Sequence, residues 1–111
     1  MMKMETVKIK TAEYNDDALI RKLKSNPKAL QAYINYIAKE FDKDRNLDVF
    51  LGCLKVAIMA SRGTATNISK TAKIDRSGIY KALSNNTKPR IDTFLNILRG
   101  VGLDIKIKTA D

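Results

Sequence analysis

Histidine and tryptophan are absent from this 111-residue chain, and cysteine occurs once, at Cys53. Without histidine, His-based acid–base catalysis and His metal sites are excluded. One thiol makes neither an intrachain disulfide nor a thiolate metal cluster. Gly63, Gly78, Gly100 and Gly102 lack the spacing of a phosphate-cradling loop. No enzyme activity and no cofactor is therefore expected. Aromatics make up only 6% of the residues, so the core must be mainly aliphatic. No apolar run approaches the roughly 20 residues that span a bilayer. The opening Met1-Met2-Lys3-Met4-Glu5 has no stretch that could serve as a signal peptide. A cytoplasmic protein with no membrane partner is the expectation.

What remains is a hydrophobic content of 44% and a charged content of 30%, which suits one globular domain with one modest core. The net charge is +9 and is unevenly placed. Residues 62–90 hold seven Lys/Arg and a single acid, Asp75. Two thirds of the net charge thus lies in about a quarter of the chain. A local positive field of this kind attracts polyanions. A membrane surface suits it less, because the basic segment lacks a bulky apolar face.

The hydrophobic spacing predicts an all-α fold with short terminal strands. Val7 and Ile9 alternate with Lys8 and Lys10, a strand pattern, and Asn15 can cap a short helix over about 16–24. Pro27 suits the first position of a helix whose Leu30, Tyr33, Ile34, Ile37, Ala38 and Phe41 share one face. A second helix, from about Leu47 to Ala60, is apolar on nearly all sides and belongs in the middle of a bundle. Thr66 can cap a third, running to about Ala72. Asp75 can cap a fourth over 76–84. Ile91, Phe94, Leu95 and Leu98 mark a fifth, closed by Gly100 and Gly102. Leu103, Ile105 and Ile107 alternate with Asp104, Lys106 and Lys108, a second strand pattern. The organisation expected is an arm over 1–26, with a short strand and helix, followed by a helical domain over 27–111. The two strands could pair with each other, or with the same strand of a second subunit.

The helix over 76–84 has two faces. At 100° per residue, Arg76, Ser77, Tyr80, Lys81 and Ser84 fall on one side, and Ile79, Ala82 and Leu83 on the other. Every residue of the first side can hydrogen-bond, and such a helix fits a DNA major groove. With the helix before it, it forms a helix-turn-helix arrangement, locked by Ile68, Ile74 and Ile79. Arg76 is the first candidate for reading a base, with a phosphate contact or a solvated charge as the other readings. Ser77 and Lys81 are placed for a base edge or a phosphate. Tyr80 could contact a base edge, a phosphate or a thymine methyl, or pack against the bundle flank. Thr66, Asn67 and Lys70, at the start of the preceding helix, are candidate phosphate contacts. So are Lys88 and Arg90, which follow the two-faced helix. Gly78 costs about 1 kcal/mol relative to alanine inside a helix; packing on the preceding helix is the favoured explanation.

The segment Gly78-Ile79-Tyr80-Lys81-Ala82-Leu83-Ser84 closely resembles the recognition helix of the addiction-module antidote family. Those proteins look like phage-repressor-type helix-turn-helix antitoxins encoded beside a small toxin. The resemblance covers roughly 27–108. It takes in Pro27 with its amphipathic helix, Phe50-Leu51, and the run Phe94-Leu95-Asn96-Ile97-Leu98-Arg99-Gly100-Val101-Gly102-Leu103. Three departures stand out: Ser69 where alanine is usual, Lys73 at a turn position where glycine is usual, and a loop at Thr64-Ala65-Thr66 about one residue longer. If Lys73 is left-handed, a non-glycine there costs on the order of 1 kcal/mol.

The resemblance implies a five-helix, phage-repressor-like bundle and a homodimer that represses its own operon at palindromic operator DNA. It also implies neutralisation of a small basic toxin. Two other readings stay open from the residues: a stand-alone repressor, and a basic module that binds an acidic protein or RNA.

Overall fold

The computed structural model describes residues 17–84 and 88–110. Among them are six helices: α1 (Asp17–Lys24), α2 (Pro27–Asp44), α3 (Leu47–Ala60), α4 (Thr64–Ala72), α5 (Arg76–Ala82) and α6 (Ile91–Gly100). The local chemistry of their ends explains most of these boundaries. Asn26 accepts the Ala29 N–H at 3.2 Å and Pro27 opens α2. Asn46 accepts the Val49 N–H at 3.2 Å and opens α3. Between them, Arg45 takes a left-handed φ of 54°, which lets its N–H close α2 on the Phe41 carbonyl.

The apolar α3 is the centre of the molecule. Leu51, Cys53, Leu54, Val56, Ala57 and Ile58 are all buried. Helix α1 packs on α3 and α2, α2 packs along α3, and α4 joins α3 to α6. Leu23 of α1 is buried in the same core as Ile34 and Ile37 of α2. Phe50 stacks on Phe41 with ring centroids 4.5 Å apart and meets Phe94 edge-on at 6.2 Å. Those three rings tie α2, α3 and α6 together. Cys53 packs in this core, and burial pushes its thiol above the ordinary cysteine range, partly countered by a hydrogen bond with Tyr33.

Three expectations change. Leu103 to Lys108 form no strand, and none occurs among the described residues. Alternation supplies an apolar face but not a hydrogen-bonding partner, and the Ile105 N–H turns instead to the Asp104 carboxylate at 3.1 Å. Thr66 is not a helix cap. Gly63, at φ 77°, makes the turn three residues earlier, so α4 begins at Thr64 and Thr66 lies inside it. Helix α5 ends at Ala82 rather than 84, because the last turn tightens: Leu83 and Ser84 donate to carbonyls three residues back, of Tyr80 and Lys81. The strand expected at Val7 and Ile9, and the cap expected at Asn15, lie outside the described residues.

Candidate nucleic-acid interface

Helix α4 leaves α3 at a bend of 112°. Its buried residues, Ala65 and Ile68, anchor it. Lys73 ends it in the left-handed region at φ 56°, and the Lys73 N–H closes on the Ser69 carbonyl. The chain then reverses through Ile74 into α5. Asp75 accepts the Gly78 N–H at 2.8 Å, which fixes where α5 starts. Ile79, fully buried, holds α5 against the core, and Leu83 follows it inward. A Cβ on Gly78 would come within 2.9 Å of both Asp75 Oδ1 and Ile74 Cγ1. The glycine therefore makes room for the turn and its own cap, not for α4 as the sequence suggested.

With its back anchored, α5 turns the other side to solvent. Arg76, Ser77 and Lys81 are exposed, as are Thr66, Asn67 and Lys70 on α4. The two helices meet at one polar contact: Arg76 Nη2 donates to Thr66 Oγ1 at 3.1 Å. A neutral hydroxyl orients the guanidinium without cancelling its charge. Ser77 Oγ donates to Asp75 Oδ1 at 3.4 Å. Tyr80 is half-buried, with its ring packed at the edge of the core.

Lys88 and Arg90 are exposed too, but each has an acid beside it. Lys88 Nζ lies 2.9 Å from Asp48 Oδ1 in the first turn of α3, and Arg90 Nη2 lies 3.3 Å from Asp92 Oδ2. Thr66 and Arg76 are thus brought together, while Lys88 is drawn to the start of α3. Asp48 was missed by sequence reasoning. It stands forty residues from Lys88, and no local pattern links them. No single described helix is long and apolar enough to cross a membrane.

A family model described as "Probable addiction module antidote protein" matches residues 11–109. An uncharacterized protein of Haemophilus influenzae is 28% identical over 79 residues, which is 71% of this chain and 75% of that protein. No solved structure matches the fold. The family match spans nearly the whole sequence, including every described helix, and the chain belongs to the addiction module antidote family.

Proposed function

We propose that this protein is the antitoxin of a toxin–antitoxin pair and that it represses its own operon by binding operator DNA as a homodimer. Membership of an antidote family supports the toxin partner and favours this reading over a stand-alone repressor. The observation that carries the DNA-binding half is the exposed polar side of α5, with Arg76 braced by Thr66 across a three-residue turn. The pair α4–α5 acts as a helix-turn-helix, with α5 in the major groove and half-sites about 34 Å apart. Arg76 reads a guanine through its O6 and N7 acceptors. Ser77, Tyr80 and Lys81 contact neighbouring base edges. Thr66, Asn67, Lys70, Lys88 and Arg90 contact phosphates, which position the protein without reading sequence.

Selection of bound duplexes from random DNA tests this directly. The expected product is a palindrome. Arg76→Ala is expected to flatten the preference at one position per half-site, a loss of about 1–3 kcal/mol of discrimination. Equal losses on the operator and on random DNA would remove Arg76 from base reading. Failure to enrich any sequence would remove the operator from the proposal.

A further inference from the structure

The segment that follows α6 leaves the fold with an unmatched apolar side. The Leu103 N–H bonds the Leu98 carbonyl at 2.8 Å and sets the direction of the chain. From Asp104 onward no backbone–backbone hydrogen bond forms with another described residue. Ile107 is 94% exposed, Ile105 42% and Leu95 of α6 38%. Together with Leu98 and Leu103 these side chains line one shallow groove. Alternating apolar residues whose backbone groups have no backbone partner, the Ile105 N–H reaching only the Asp104 carboxylate, are the makings of an edge that pairs with another strand.

We propose that residues 103–107 pair antiparallel with the same residues of a second copy of this chain, Ile105 opposite Ile105 across a two-fold axis. In that register Leu103 faces Ile107 and Ile105 faces itself; these residues belong to the apolar lining of the groove, which Arg99 and Asp104 also line. On the other side each Asp104 faces a Lys106. Directly opposite residues interact most strongly, and opposite charges there stabilise while like charges destabilise. Centring the pair on Asp104 sets two carboxylates against each other. Centring it on Lys106 sets two ammonium groups against each other. A slip by one residue turns the apolar side over to solvent. Charge and hydrophobic pattern therefore agree on one register. The chain's own alternating run, Thr6-Val7-Lys8-Ile9-Lys10, is a poorer occupant, because it brings two more lysines and no acid to Lys106 and Lys108. Two strands alone are marginal in water; Leu95 and Leu98 of each copy supply the apolar floor beneath them.

Pairing in this way deepens the dimer of the proposed function and is tested without DNA. Sedimentation equilibrium of the full chain is expected to give twice the 12.5 kDa chain mass. Ile105→Lys is expected to give the single-chain mass with unchanged helical circular dichroism, since Ile105 lies outside every helix. Asp104→Lys and Lys106→Asp are each expected to weaken the dimer about tenfold, and the double variant to recover it. In a Cys53→Ala background, Ile105→Cys is expected to form an intersubunit disulfide, as directly opposite residues can, whereas Ile107→Cys is not. A monomeric wild type, a dimer indifferent to Ile105→Lys, or a double charge swap without recovery would overturn the pairing. A dimer that ignores DNA would overturn only the operator reading, and a monomer that binds an operator would overturn this pairing and the homodimer while leaving the DNA binding itself.

Discussion

The guanidinium of Arg76 and the ammonium of Lys88 carry the same charge in different settings. Arg76 leans on a hydroxyl and keeps its full charge for an incoming anion. Lys88 sits 2.9 Å from the carboxylate of Asp48, with both side chains more than half exposed. An exposed pair of this kind is worth less than about 1 kcal/mol, so a DNA phosphate can compete for the lysine. Asp48 still opposes the incoming backbone. Asp48→Asn is expected to tighten binding to operator and random DNA alike by a few-fold, with the base preference unchanged, as read by titration against both. A change in base preference would place Asp48 at the bases rather than at the backbone. The Lys88 partnership was illegible in the sequence because ion pairs between distant segments follow the fold and not the spacing. The role of Asp75 was legible, since a cap bonds only its own first turn.

At the scale of the element, the turn between α4 and α5 and the end of α6 each rest on one residue. Lys73 holds a left-handed conformation that glycine adopts without steric cost. Lys73→Gly is expected to raise stability by up to about 1 kcal/mol in urea unfolding, while removing one charge beside the proposed DNA surface. Gly100 works in the opposite sense. A Cβ there would overlap the Ile68 side chain, which is fully buried on α4. Gly100→Ala is expected to cost about 1–3 kcal/mol, although alanine favours a helix, because overpacking outweighs propensity at this contact. A gain in stability would show that α4 can shift away from α6. The helices themselves were readable from hydrophobic spacing, with the start of α4 moved by three residues and the end of α5 by two where backbone turns decided. The segment 103–108 forms no strand within the single chain because alternation describes a face, whereas a strand also needs a neighbour for its backbone groups.

For the whole molecule, charge and pairing set the behaviour. Two thirds of the +9 excess lies in residues 62–90, the segment that contains α4 and α5. If each subunit of a dimer neutralises about four phosphates, log affinity is expected to fall against log salt with a slope near −7. A slope close to zero, measured by titration at several ionic strengths, would remove the electrostatic basis of the proposed DNA binding. The same field favours an acidic patch on any partner that docks on this face. A toxin held while DNA is bound would need a different surface, because the outward side of α5 is then taken up by the groove.

The amino-acid sequence alone determined the helical character, the Asp75 cap, the family and the location of the charge. The family rests on motifs spread along the chain, and the others depend on neighbours within one turn or on local composition. Only the tertiary structure decided that Arg76 meets Thr66, that Lys88 meets Asp48, that Gly78 clears its own cap and Gly100 clears Ile68, and that Ile105 and Ile107 stay uncovered. Those outcomes depend on how helices cross, which is settled by close packing of the whole core rather than by any stretch of the chain.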